Sequence, residues 1–337
     1  MSGSAVFTLC CWLCLQDASA APAPTSVQPQ SPGTSPVASE EAVTLRYKFA
    51  PGQKLRYRSE QKMTLEAQVG QDRRIDVSEV RQTRLFTVAN VNDGGNAELA
   101  MQFEHVWMRK QVDNGEPQDF DSKMKPAEVP EAFRGVAHSL RGNAPRFHLT
   151  NRGTTAAIPQ AEVGGGTPRP SLPSPVEQDS ADASGNSQAP AIRQASASKT
   201  EADRAPGTFL MLLPDEPVKV GDTWKEEIPL TVRAGVDSTL QVNVLRTYRL
   251  DRLTSDTAHI SFRSSLRSPT RSTVIRSQLI QATPSGSFIF DRHRGVMLSR
   301  EFRYSETVIG ALGAESLLSS IGTQTETLLE SDDNRAP

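Results

Sequence analysis

Cysteine is missing from everything beyond the first short apolar run. Its three copies, Cys10, Cys11 and Cys14, all lie between Ala5 and Leu15. That run is too short to cross a bilayer, which takes roughly 20 apolar residues. Ala18-Ser19-Ala20 follows it, a small-x-small site of the kind signal peptidase cuts. A cut there leaves a mature chain without a thiol, which excludes disulfides, thiolate metal sites and a cysteine nucleophile. The basic residues expected ahead of such a run are also missing. The residues before each cysteine are bulky or cysteine, where a lipidated cysteine needs small ones. The expectation is an exported chain, periplasmic or extracellular, with its mature start at Ala21 and lipid anchoring as the alternative. No transmembrane span is expected in the mature chain.

Other shortages narrow the class further. Neither sign of charge dominates, with 37 Lys plus Arg against 39 Asp plus Glu, so nothing draws the chain to nucleic acid. Hydrophobic residues reach only 36%, low for a fully packed chain of this length, and the deficit is concentrated in particular stretches. Gly-x-Ser-x-Gly does not occur, nor does a phosphate-cradling or dinucleotide glycine loop; Gly164-Gly165-Gly166 has no strand before it. The histidines are His105, His138, His148, His259 and His293, and no two stand at metal-ligand spacing. His293 beside Asp291 could be a base with its orienter. In a tight turn the same pair more often satisfies the loop backbone. No metal, cofactor or catalytic residue is expected.

What is present is period-two alternation. Pro284 to Tyr304 carries Phe288 and Phe290, then a polar loop ending in Gly295, then Val296, Leu298, Phe302 and Tyr304, which is a β-hairpin signature. Pro145 to Ile158 is a weaker copy, with Phe147-His148-Leu149 and Asn151-Arg152-Gly153 in corresponding places. Leu45, Tyr47 and Phe49 suggest a first strand. Leu55 to Val69 alternates cleanly with a charged face, as a long half-wet strand does. Ile75–Val91, Ala97–Met108, Leu240–Leu250, Ile260–Leu266, Thr270–Thr283 and Thr323–Leu329 also read as strands. Pro126 to Gly142 has helical spacing at Val129, Phe133, Val136, Ala137 and Leu140. Ala311 to Ile321 allows a second short helix.

Two stretches have no means of burying apolar area. Residues 21–42 are chiefly Ala, Pro, Ser, Thr and Gln, and residues 159–206 lack both periodicity and aromatic residues. The chain divides accordingly into a signal peptide (1–20), a spacer (21–42), a first meander (43–158), a disordered linker (159–206), a second meander (207–331) and a tail (332–337). The halves align: Pro51-Gly52 before Leu55 and Tyr57 matches Gly221 before Trp224, and Arg84 to Val88 matches Arg246 to Leu250. The expected fold is mostly β, with two duplicated antiparallel β-meanders packed as a sandwich or an open barrel, one short helix and the long linker.

Three arginines, Arg84, Arg246 and Arg300, fall on the apolar phase of their strands. An unpaired arginine inside a sheet is too costly to keep. Each must find a carboxylate, lie at a bend that resets the phase, or line a wet cavity. Gly153, Gly221 and Gly295 stand at turns, and Trp224 reads as the start of a core strand.

Tyr47-Lys48-Phe49-Ala50-Pro51-Gly52-Gln53-Lys54-Leu55-Arg56-Tyr57 and Leu213-Pro214-Asp215-Glu216-Pro217-Val218-Lys219-Val220-Gly221-Asp222-Thr223-Trp224 resemble segments of an uncharacterised family of bacterial exported and lipoprotein-type β-rich proteins. The likeness spans about Leu45 to Leu329 and implies no catalytic residue. At the level of fold class the chain is similar to periplasmic lipoprotein carriers, which licenses no site. The function expected is non-catalytic: binding of an apolar or lipid-like ligand in the cell envelope, or a structural or protein-interaction role there with no small ligand.

Overall fold

The computed structural model describes residues 41–140, 145–157, 210–234 and 238–329. The signal peptide, the linker, the tail and nearly all of the spacer lie outside these residues.

Alternation builds the framework. β1 (Lys54–Val69), β2 (Asp72–Val91) and β3 (Ala97–Val112) run up and down, and the short strand β4 (Gln118–Asp121) pairs with the end of β3. Two 3-10 turns lead into α1 (Arg134–Ser139), which is followed by the hairpin β5 (Arg146–Leu149) and β6 (Thr155–Ala157). The second meander is β7 (Thr223–Arg233), β8 (Thr239–Leu253), β9 (Thr257–Leu266), α2 (Thr273–Gln278), β10 (Ser285–Asp291), β11 (Val296–Ile309) and β12 (Ser316–Leu329).

All twelve strands belong to one antiparallel sheet in the order β6-β5-β3-β2-β1-β12-β11-β10-β9-β8-β7, with β4 beside β3. The two meanders join where β1 pairs with β12, from Arg56↔Leu329 to Val69↔Ser316. The sheet is not closed, so the arrangement is a single open surface and not two sheets stacked face to face. It is curled. β5 and β10 are six strand steps apart, about 29 Å on a flat sheet. Yet the Tyr47 amide donates to Asn151 O just beyond β5 at 2.8 Å, while the Tyr47 ring meets Phe290 of β10 edge-on at 5.3 Å.

The inner face holds the core: Tyr57 on β1, Phe86 on β2, Phe147 on β5, Tyr248 on β8, and Phe288 and Phe290 on β10 are all buried. Two extended segments cross it like straps. Val43 to Phe49 and Leu210 to Leu213 supply Leu45, Tyr47, Met211 and Leu213, all buried. The helices cap the same face farther down. The turn before α1 stacks Phe133 on Phe120 at 5.7 Å above Val80 and Val106, and α2 sets Ile275 and Leu279 over Val232 and Val242.

Several local expectations need correction. Thr270 to Thr283 is not a strand, because Ser272 Oγ caps Ile275 N at 3.4 Å and starts α2. Ala311 to Ile321 holds no helix: a turn precedes Ser316, and β12 runs on from there. Leu45, Tyr47 and Phe49 alternate without joining the sheet, and only Val43 makes a bridge, to Val218. The helix expected over 126–142 is reduced to α1 preceded by 3-10 turns.

The halves share their register. Gly52 N donates to Val88 O at 2.8 Å and Val88 N to Gln53 O at 2.9 Å; Gly221 N donates to Leu250 O at 2.8 Å and Leu250 N to Asp222 O at 3.0 Å. The β2–β3 ladder slips between Val88 and Asn90, and the β8–β9 ladder slips between Leu250 and Arg252. Leu99 faces Phe147 as Ile260 faces Phe288. In this register Arg84 corresponds to Arg246, and Phe86 to Tyr248.

Candidate functional site

A belt of polar groups crosses the middle of the inner face. Glu326 on β12 is fully buried and ion-pairs with two arginines, Arg84 from β2 and Arg300 from β11, the latter at 2.7 Å. Arg84 reaches over β1, where the small Ser59 lies opposite both Gln82 and Glu326 and leaves room. The arginine stems pack on aromatic rings, with guanidinium carbons 5.7 Å from the Phe86 centroid for Arg84 and 4.9 Å from the Phe302 centroid for Arg300. Burial pushes the Arg300 guanidinium below its ordinary range; Glu326 opposes that shift and Arg84 adds to it.

Arg246 continues the belt on β8. It lies 3.4 Å from Glu226 Oε2, donates to Ser264 Oγ at 3.2 Å, and sits over Phe262 at 5.3 Å. The Tyr248 hydroxyl donates to the same Glu226 oxygen at 2.6 Å. Burial works to lower the Arg246 value, but Tyr248 and Glu226 carry it upward. Of the three fates open to the apolar-phase arginines, all three residues find a carboxylate, and Arg84 also sits where its ladder slips. Sequence reasoning missed Glu326 and Glu226. The available signal was that Gln324 and Glu326 hold the inward phase of a strand whose threonines, Thr323, Thr325 and Thr327, face outward.

The three glycines serve the straps and turns. Gly153 has φ +95°, and a Cβ there would stand 2.6 Å from Met211 O and 2.9 Å from the Tyr47 ring. Gly295 has φ +64°, and its Cβ would stand 2.6 Å from Lys48 N. Each hairpin tip therefore lets one strap pass at contact distance. Gly221, at φ +97°, has open space around it and needs only its backbone freedom. The Tyr47 hydroxyl ties the straps together, donating to Met211 O at 2.9 Å and accepting from Met211 N at 3.1 Å. Trp224 is partly buried in β7, donates from Nε1 to Leu212 O at 2.8 Å, and stacks on Tyr248 at 5.4 Å.

The carboxylates of the belt are taken up by arginines and by the Tyr248 hydroxyl. Asp291 Oδ1 accepts from the amides of His293 and Arg294 at 2.9 and 2.7 Å, so it organises the hairpin tip, and His293 turns to Asp256 at 3.2 Å in solvent. Among the described residues, no group of three or more His, Cys, Asp or Glu side chains is placed to hold a metal. No helix among them is long and apolar enough to cross a membrane.

Two clefts open at opposite ends of the strands. One, of about 310 Å³, lies between α2, the end of β9 and β11, lined by Ser264, Leu266, Arg276, Leu279 and Glu306. Arg276 Nη2 donates to Thr307 O at 3.4 Å across it. The exposed apolar side chains Val274, Ile309, Leu312 and Val69 lie at this end of the strands. The other cleft, of about 620 Å³, is polar and lies beside the loop that enters β7.

A model of a family described as a family of unknown function, DUF6263, matches residues 94–297. No curated protein matches the chain. Among solved structures, the chain is similar to one described as "Lipid-protein interactions in lipovitellin", with a TM-score of 0.43 and 8% identity over 86% of this chain and 26% of that one. It thus spans about a quarter of that chain's length, and a likeness this distant says nothing about a ligand.

Proposed function

The chain belongs to the DUF6263 family, a family of unknown function, and we propose that it is a non-catalytic, exported binding module that takes an apolar, lipid-like ligand in the cell envelope. One observation carries this. The cleft beside α2 has Leu266 and Leu279 in its wall and Arg276 and Glu306 at its polar side, with Val274 and Ile309 exposed at the same end. At about 310 Å³ it falls at the lower end of the range for small-ligand sites. The inner face itself is filled by the straps, so the ligand lies at the rim and not deep within the sheet. The matching registers of the two halves support an origin by duplication of one meander.

The test is organic extraction of the purified exported protein, read by mass spectrometry, followed by titration with cis-parinaric acid. A copurifying lipid, or saturable probe fluorescence abolished by Leu279→Asp and retained in Leu240→Asp, is the expected result. Absence of both a copurified lipid and probe binding overturns the proposal and leaves a protein-interaction role for the exposed apolar rim.

A further inference from the structure

The polar cleft at the other end of the strands is built differently, and its construction does not depend on the lipid-like ligand proposed above. Its wall is Trp224, and around it stand Asp215, Glu216, Asp222, Arg152 and Lys225. The indole is fixed twice, by its hydrogen bond to Leu212 O at 2.8 Å and by stacking on the fully buried Tyr248. The loop beside it is held as firmly. Arg46 donates to Pro214 O at 2.6 Å, and Arg152 donates to Leu213 O at 3.3 Å while pairing with Asp215. Asp222 Oδ2 accepts from Lys219 N at 2.8 Å, which fixes the turn at Gly221. Glu216 and Lys225 carry no ion pair among the described residues, so their charged ends are available to a ligand.

This lining selects by elimination. The three carboxylates of the lining are nearly balanced by Arg152, Lys225 and the neighbouring Arg46, so neither a polyanion nor a cation is favoured there. The wall is too polar for a hydrocarbon chain. What remains is a neutral molecule dense in hydroxyl groups, with one apolar face to lie on an indole. Carboxylates accept from hydroxyls and guanidinium or ammonium groups donate to them, and such charge-assisted bonds are the strong ones. We propose that this cleft binds a neutral saccharide, with Trp224 as its stacking surface and Glu216, Asp215 and Lys225 as the groups that read its hydroxyls. At about 620 Å³ the space suits two or three sugar rings and not a long polymer.

The experiment uses the full chain and three probes: cellotriose, the trimer of N-acetylglucosamine, and dextran sulfate as a polyanion. Saturation-transfer NMR and calorimetry should show one of the neutral trimers binding saturably, with indole protons among the contacts. Glu216→Gln together with Asp215→Asn should weaken that binding roughly tenfold or more. Both residues are exposed, and the loop keeps its backbone ties to Arg46 and Arg152 when the Asp215 charge is lost, so these variants fold even if Trp224→Ala loosens the stack on Tyr248. Trp107→Phe, on the opposite face of the sheet, should leave the affinity unchanged. The proposal is overturned if neither trimer binds at concentrations up to about 10 mM, if the double variant binds as the parent does, or if dextran sulfate binds more tightly than both.

Discussion

Glu326 on β12 holds Arg84 on β2 across the full width of β1. Arg300 meets the same carboxylate from the other side, so one buried acid fastens the two meanders on either side of their junction. Glu326→Ala would strand two buried guanidinium groups and should cost about 3–5 kcal/mol in urea unfolding. Replacing the three together, as Arg84→Met, Glu326→Leu and Arg300→Met, should recover most of that loss, because the desolvation cost leaves with the charges. Arg249→Ala, an exposed residue 3.7 Å from Asp251, should stay within about 0.5 kcal/mol of the parent.

Gly153 and Gly221 differ in a way that alanine substitution can separate. Both have positive φ, but only Gly153 has backbone at contact distance from its Cβ position. Gly221→Ala should cost about 1–2 kcal/mol, the left-handed penalty alone. Gly153→Ala should cost clearly more and should also loosen the strap at Met211. That loosening would be read as faster exchange of the Met211 amide, which now donates to the Tyr47 hydroxyl.

Three buried tyrosines make the fold sensitive to alkali. Burial pushes Tyr47, Tyr57 and Tyr248 well above the ordinary phenol range, and Glu326 adds to the shift at Tyr57. Their folded values are raised, so their contribution is complete below the unfolded value near 10 and is lost as pH rises beyond it. In that window the unfolded chain has released three protons that the folded chain still holds. Stability should therefore fall by about 4 kcal/mol per pH unit once all three contribute. Absorbance at 295 nm should show these phenols ionising together with the loss of far-ultraviolet ellipticity, and not before it.

His259 tests the opposite sign. Partial burial, and then Arg252, hold its imidazole below the ordinary range, and Arg252 Nη2 stands 2.9 Å from Nε2, so the ring accepts there in its neutral form. A depressed value contributes stability above the unfolded value near 6.5 and loses it as pH falls through the folded one. NMR titration should place the His259 midpoint below the ordinary imidazole value, and Arg252→Gln should raise it.

Local pattern and tertiary pairing were legible to different degrees. The wet and dry faces of β1 follow directly from its sequence, because side chains on a strand alternate and only one face meets solvent. Leu45, Tyr47 and Phe49 show the same alternation yet form a strap, since any extended segment pressed on a core selects alternate apolar residues whether or not it pairs. The β-branched run Thr273-Val274-Ile275 hid α2, although Ser272 ahead of it is a good N-cap. The phase of Arg84 and Arg300 marked them as buried, but their shared partner Glu326 depends on which strand lies beside β1, and no local pattern carries that. Between a sandwich and an open barrel the deciding fact is likewise the β1–β12 pairing. The polar cleft was visible only as Gly221 and Trp224, because Arg152 reaches it from the other half of the chain.

That same pairing sets the order in which the molecule can form. Among the described strands β1 is the first in chain order and β12 the last, and they pair from Arg56↔Leu329 to Val69↔Ser316. Until β12 is available, β1 keeps a bare flank of main-chain donors and acceptors able to recruit any other extended segment. Assembly thus waits on closure of everything between β1 and β12, and contacts of such wide sequence separation form slowly. A chain cut short before Ser316 would lack the closing strand, and its fate should be aggregation or proteolysis and not a smaller folded unit.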